Sequence, residues 1–418
     1  MPLRLTQQVA DAFLPHPPER VGVAVSGGGD SMALLHLMHQ MCSLHNITLR
    51  AVTVDHGLRA GSDGEAQMVH RFCAGLGISH DTLHWQDWDG TGNLQNAARD
   101  ARYRLMSEWA RTHRIDTIAL GHTADDQAET VLMRLARQSG VDGLAAMAAR
   151  KTRAGLTWVR PLLGASREDL RGHLRDSGIT WAEDPSNEDL SYDRIKVRKA
   201  LEVLAPLGIG VQGLAAVASS MAEARSALDW QTFTAARDAA VVDAGAVVIC
   251  ERKLRIMPVE IQRRLLVHAI GWISGAKYPP RRGAIANLMT ALRDGQAGTL
   301  DGCHVCRAQG KVWIFRELNA VRDVAAPHDA LWDGRWRVSP ADAQEDTEDT
   351  TLRALGPDGL LQVPDWRATG RPHAMLLSTP AVWKGDRLVA APLAAMGQKW
   401  HAHVDGGEEA FFAALLSH

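Results

Sequence analysis

Val21-Gly-Val-Ala-Val25, Ser26-Gly27-Gly28-Gly29-Asp30-Ser31, then Met32-Ala-Leu-Leu35: this stretch decides the fold. A β-branched run, a glycine loop and an apolar helical pattern read as strand, tight turn and helix start. A strand feeding a helix through glycines makes an anion site. Glycines let the backbone approach closely, several N–H groups point inward, and the helix dipole adds about half a positive charge. Ser26 and Ser31 can donate hydroxyls to phosphate oxygens, and Ser31 can also serve as a helix cap. The loop has no Gly-Lys-Ser/Thr and no Gly-x-Gly-x-x-Gly, so neither common nucleotide signature applies. Asp30 would repel a bare phosphate. It makes sense where Mg²⁺ bridges it to phosphates.

Outward from the loop the pattern repeats. Strand-like runs fall at Leu49–Val54, Asp81–Trp85 and Ile115–Leu120. Helical patterns fall at 31–44, 93–113 and 123–137. Strand and helix in alternation predict a parallel α/β sheet of Rossmann type, with ligands at the carboxyl ends of its strands.

Four further stretches carry candidate chemistry. Val54-Asp55-His56-Gly57-Leu58-Arg59 ends the second strand. Asn96-Ala-Ala-Arg99-Asp-Ala-Arg102-Tyr103 puts two guanidiniums on one helix face, where they can clamp phosphates. Gly121-His122-Thr-Ala-Asp125-Asp126-Gln127-Ala-Glu129-Thr130 starts where the fourth strand ends. Asp126 and Glu129 are i,i+3 and face one way, so together they can hold an amine or a Mg²⁺. The fourth is composite: Arg160-Pro-Leu-Leu163, followed by Glu183-Asp-Pro-Ser-Asn187 and Tyr192-Asp-Arg194-Ile195-Lys-Val-Arg198.

The hexapeptide 26–31 resembles the signature loop of the N-type ATP pyrophosphatases (PP-loop superfamily). Together with the four later motifs, residues 20–200 resemble the tRNA(Ile)-lysidine synthase family. The resemblance implies ATP and Mg²⁺ at Ser26, Gly27, Gly28, Gly29, Asp30 and Ser31, with Asp30 on the metal. Asp55, His56 and His122 would lie against the nucleotide. Arg102 would stabilise the α-phosphate, and Asp126 and Glu129 would hold free L-lysine. Arg194 would line the base site, completing a catalytic set of Asp30, Arg102, Asp126, Glu129 and Arg194. The implied reaction adenylates the wobble cytidine of CAU-anticodon tRNA(Ile) and joins lysine at C2. One departure stands out: the family pattern Arg-Asn-x-x-Arg has Ile195 in place of Asn, between Arg194 and Arg198.

At 418 residues the chain is long enough for two or three domains. A Pro/Gly break at Ala205–Gly210 suggests the divisions: a catalytic domain 1–205, a helical linker 206–245, a basic mixed domain 246–322 and a small β-rich domain 323–418. Whole-chain charge is −2, but residues 251–322 carry 13 Lys/Arg against 5 Asp/Glu, and 323–418 carry 8 against 14. The basic block is a candidate polyanion surface. Its Arg263, Arg264, Arg281 and Arg282 are candidate tRNA contacts, as is Arg198 in the catalytic domain.

Five cysteines are too few and too scattered for a disulfide framework. Cys303-His-Val-Cys306 reads as a strand, which would turn its thiols to opposite faces. No apolar run approaches a membrane span and no secretory leader is visible, so a cytoplasmic protein is expected. A homodimer is left open. So are three other activities: a tRNA thiolase of the same superfamily, a small-molecule synthetase, and a non-catalytic ATP-responsive tRNA-binding protein. The first would need catalytic cysteines, the second would leave the basic block unexplained, and the third would release no pyrophosphate.

Overall fold

A computed structural model describes every residue except 1, 58–61, 87, 89, 154, 184–192, 343–346, 398 and 417–418. Leu58, Arg59, Asp184–Asn187 and Tyr192 of the sequence motifs therefore lie outside the described residues. The chain divides into two compact units, 1–226 and 227–417.

The first unit is built on β1 (Arg20–Ala24), β2 (Thr48–Asp55), β3 (Ser79–His84), β4 (Thr117–Leu120), β5 (Arg150–Arg153) and β6 (Leu156–Val159), in the order β3-β2-β1-β4-β6-β5. All neighbours pair in parallel except β5, which returns antiparallel on β6. Strand order reverses between β1 and β4. In an open α/β sheet that reversal opens a crevice at the carboxyl ends, where ligands bind. The glycine loop leaves β1 there, and Gly121-His122 leaves β4 beside it.

The helices of this unit are α1 (Pro2–Asp11), α2 (Gly29–Leu44), α3 (Ser62–Gly75), α4 (Leu94–Thr112), α5 (Ala124–Ala136), α6 (Val141–Leu144), α7 (Arg167–Asp176), α8 (Asp193–Leu204) and the first half of α9 (Val211–Ala239). α2 buries Met32, Leu34, Leu35, Leu37 and Met38 completely, so the loop it carries is anchored in the core. A separate cluster of Tyr103, Met106, Trp109 and Trp158 packs α4 against β6 and its neighbours. The boundary between the two units falls inside α9, some twenty residues beyond the Pro/Gly break expected to mark it.

The second unit opens with a five-stranded antiparallel sheet of β7 (Ala240–Asp243), β8 (Ala246–Cys250), β9 (Gly298–Leu300), β10 (Cys303–Ala308) and β11 (Lys311–Arg316), ordered β7-β8-β11-β10-β9. Alongside stand α10 (Glu251–Ile256), α11 (Val259–Ser274) and α12 (Arg282–Arg293). Cys303 and Cys306 lie on β10, one buried and one half-buried. Phe411, Phe412 and Leu415, near the chain end, fill the same core as α11 and α12. Asp333 meets Arg316 at 2.8 Å, and Arg371 meets Asp243 at 2.7 Å. The β-rich tail therefore shares a core and ion pairs with the basic segment, where the sequence suggested two separate domains. Within the tail, Arg387–Ala390 and Trp400–Val404 are strands, and His373–Leu377 is a short helix. Pro372 is its N-cap, with φ −59° and an extended ψ of 137°. Trp332, Trp336, Trp383 and Trp400 are all buried, so these tryptophans serve as core filler.

Candidate active site

The loop is closed by its own hydroxyls. Ser31 Oγ donates to Gly28 O at 2.9 Å and accepts the Ser26 N–H at 3.1 Å. In this arrangement Ser31 shapes the loop and does not cap α2, since Ser31 lies inside the helix. Ser26 stays exposed. Gly27 sits at φ +87°, a region that disfavours side chains. Its carbonyl accepts from Ala182 N at 2.9 Å, which pins the loop from outside. Gly28 precedes α2 with no side chain capping the helix. The first N–H groups of α2 are thus left for an anion.

Beside the loop, a single guanidinium gathers three carboxylates. Arg167 donates from Nε to Asp30 at 3.2 Å, from Nη2 to Asp126 at 2.7 Å and from Nη1 to Glu129 at 2.8 Å. Its backbone N–H also donates to Asp125 at 2.8 Å. The expected pairing of Asp126 with Glu129 is met, and Asp30 joins them. Close approach makes this possible. A side chain at Gly121 would place its Cβ 3.1 Å from Asp30 O, so any larger residue would push the end of β4 away from the start of α2 by a few tenths of an ångström.

Asp126 has two duties. Its Oδ2 accepts the Thr123 N–H at 2.9 Å, half of a capping box, and its Oδ1 faces Arg167. Burial raises its pKa, but Arg167 and the Thr123 amide more than offset this and hold it below the ordinary range. Asp30 moves the other way, because burial outweighs its contact with Arg167. Glu129 is 0 % exposed. Its Oε1 accepts from both Arg167 and Arg198, the latter at 2.7 Å. Its Oε2 has no hydrogen-bond partner among the described residues and lies 4.0 Å from Arg194 Nε.

Arg198, expected on the tRNA, thus belongs to this carboxylate centre. Ile195, one residue beyond Arg194, is buried. At this position α8 presents an apolar side chain to the interior, while its two arginines turn to Glu129.

The cationic side of the site is Arg102. Its Nε is buried without a partner, and desolvation lowers its pKa, with Arg99 and Arg194 acting the same way. An unpaired, desolvated guanidinium is a strong hold for an anion. His122 lies between the two groups. Burial first, then Arg160, Arg102 and Arg194, push it down to about 4 against the pull of Asp126, so it is neutral at pH 7. The unfolded chain would bind a proton here that the folded chain refuses. Stability from this group is full above pH 6.5 and drains as pH falls toward 4, by a few kcal/mol. Unfolding midpoints measured across that window should fall less steeply in His122→Gln. An unchanged slope would mean His122 titrates normally.

Asp55 accepts the Gly57 N–H at 2.9 Å, and His56 stands edge-on to Trp85 at 5.7 Å with its Nδ1 buried and unpartnered. Both sit at the end of β2, as expected. In the second unit the picture changes. Arg264 is buried between Asp229 at 2.7 Å and Glu260 at 3.0 Å, a core charge and not the exposed phosphate contact the sequence suggested. Arg263 is tied to the same Glu260 at 2.6 Å. Arg281 and Arg282 are exposed at the start of α12.

Sequence reasoning missed Arg167. The signal was Ser166-Arg-Glu-Asp169, a capping box that starts α7. A cation in the first turn opposes the helix dipole, so an arginine there needs a reason elsewhere.

A parallel sheet with a glycine loop and an uncapped helix start at its switch point, beside acid and arginine clusters, defines an ATP-using PP-loop enzyme. A family model described as a PP-loop domain matches residues 1–204. The tRNA(Ile)-lysidine synthase of Ruegeria pomeroyi is 53% identical over 415 residues, covering 99% of this chain and 98% of its own. That of Bradyrhizobium sp. BTAi1 is 39% identical, covering 76% and 89%. The chain belongs to the tRNA(Ile)-lysidine synthase family. Among solved structures, the U34-tRNA thiolase of Methanococcus maripaludis is 18% identical, covering 53% of this chain and 77% of its own, with a TM-score of 0.46.

Proposed function

We propose that this protein joins free L-lysine to C2 of the wobble cytidine of CAU-anticodon tRNA(Ile), consuming ATP and releasing AMP and pyrophosphate. The observation that carries it is the meeting of Asp30, Asp126 and Glu129 on one cation, beside a phosphate loop and an unpaired Arg102. Cytidine O2 attacks the α-phosphate, and the P–O bond to pyrophosphate breaks. Arg102 steadies the charge that builds on the phosphoryl oxygens. The lysine side-chain amine then adds at C2, and the C–O bond to AMP breaks.

The attacking amine must lose a proton. Glu129 is the better acceptor of the two acids. Its Oε2 accepts no hydrogen bond among the described residues, whereas both Asp126 oxygens do, from Thr123 and Arg167. Asp126 positions the amine. His122, neutral, contacts the nucleotide through hydrogen bonds alone.

Asp30 offers one hard carboxylate beside the loop N–H groups, a donor that suits Mg²⁺ shared with phosphate oxygens. Among the described residues no group of three or more His, Cys, Asp or Glu forms a metal cage on its own. When bound, Mg²⁺ would neutralise phosphate charge there.

A thiolase reading finds no support in the cysteines. Burial pushes Cys42 and Cys303 up to about 12 and Cys73 to about 11, far from a reactive thiolate. No single described helix is long and apolar enough to cross a membrane. The decisive experiment supplies Mg·ATP, labelled lysine and isoleucine tRNA bearing CAU. Lysine should enter that RNA and not a copy with the wobble C replaced. Pyrophosphate release without lysine incorporation would move the reading to another acceptor. Binding without release would leave only an ATP-responsive RNA-binding protein.

A further inference from the structure

The strand β5 reads Arg150-Lys-Thr-Arg153, every residue exposed, on the outer edge of the first unit's sheet. Charges on an edge strand ordinarily block pairing with other chains. That purpose needs no cation turned back toward other cations. Here one is. Arg153, Arg99 and Arg102 hold their guanidinium carbons 5.9, 5.5 and 5.8 Å from the centre of one phenol ring, that of Tyr103. Tyr103 is buried and stands edge-on to Trp158 of β6 at 4.7 Å. Lys151 is the cross-strand partner of Trp158. Side chains two apart on a strand share a face, so Lys151 and Arg153 both look toward Tyr103.

The result is a row of four cations. It starts at Arg102 in the reacting centre, passes exposed Arg99 and ends on the edge strand. No ion pair to a carboxylate is found for any of the four among the described residues. The ring face lowers the cost of gathering guanidiniums but does not neutralise them. Like charges kept together without acids are stabilised by a polyanion laid across them.

We propose that this row is a docking lane for the phosphate backbone of RNA, leading from the reacting centre at Arg102 out along β5. The inference rests on the lysidine reading, which brings an RNA base to the α-phosphate that Arg102 steadies. Arg150 is not part of the lane. Its Nη2 is turned back to donate to Ala12 O at 2.7 Å.

The test compares wild type, a Lys151→Ala/Arg153→Ala double variant and a Lys151→Arg/Arg153→Lys double variant. Affinity for the CAU tRNA transcript is measured by fluorescence anisotropy between about 50 and 200 mM salt. Two lost phosphate contacts should flatten the slope of log affinity against log salt by about 1.5. Affinity at the low-salt end should drop about tenfold in the alanine variant, and the charge-keeping variant should match wild type. ATP affinity should not move in either. An alanine variant with the wild-type slope would overturn the lane, because the charges would then be edge protection only. Lysine incorporation by wild type is read on the same RNA. If wild type incorporates lysine and the slope is unchanged, the lane fails alone. If the slope flattens but no lysine enters, the lane holds and the lysidine reading fails. A wild type that binds no RNA overturns both.

Discussion

Arg167→Ala is expected to lower the unfolding free energy by about 3 kcal/mol, the lower end of the 3–5 kcal/mol typical of breaking a buried ion pair. Three carboxylates would lose their common partner, at 3.2, 2.7 and 2.8 Å. The lower end applies because the Arg167 side chain is itself 21% exposed and Asp30 26%, so water screens part of the loss. Arg198 also stays on Glu129. Arg167→Lys should recover less than half. One ammonium is a point charge and cannot reach three acceptors in the fork geometry of a guanidinium. Urea midpoints with an unchanged slope would measure this cleanly. A loss below about 1 kcal/mol would mean that the acids are already solvated and that Arg167 organises nothing.

The second large effect concerns Glu129. Glu129→Gln should cut lysine transfer by about 10²–10³-fold, equivalent to about 3–4 kcal/mol. Pyrophosphate release driven by tRNA should stay within a few-fold of wild type. The substitution conserves volume at a position with 0% exposure, so packing is kept. What goes is the charge and the Oε2 proposed to accept the amine proton. Some stability goes too, since Arg167 and Arg198 face a weaker acceptor. A melting curve separates that from the chemistry. If both half-reactions fell equally in a folded variant, Glu129 would belong to the adenylation step and Asp126 would be the remaining candidate base.

Much of the first unit was legible in sequence because its signals are local. β1, the glycine loop and α2 are contiguous, and the strand-to-helix period change is visible within fifteen residues. Asp126 and Glu129 share a face because helix geometry alone requires it. The helices Leu94–Thr112 and Ala124–Ala136 fall within the expected patterns at 93–113 and 123–137, and are capped by Asn93 and Thr123. The strands β5 and β6 and the helix α7 were less legible. β5 is Arg-Lys-Thr-Arg, with no apolar alternation to mark it. The two-domain reading of residues 246–418 departed from the structure for the same reason. Phe411 and Phe412 fill the core of α11 and α12 from more than a hundred residues away, and no window sees that.

The sequence by itself determined the parallel sheet, the phosphate loop, the acid pair and the family, since each is written in adjacent residues or fixed spacings. Only the tertiary structure decided what the charges do. It placed Arg167, forty-one residues beyond Asp126, at the centre of the acids. It drew Arg198 into the site and buried Arg264 out of reach of any ligand. Charge acts through space and desolvation, and neither distance nor burial is encoded in spacing along the chain.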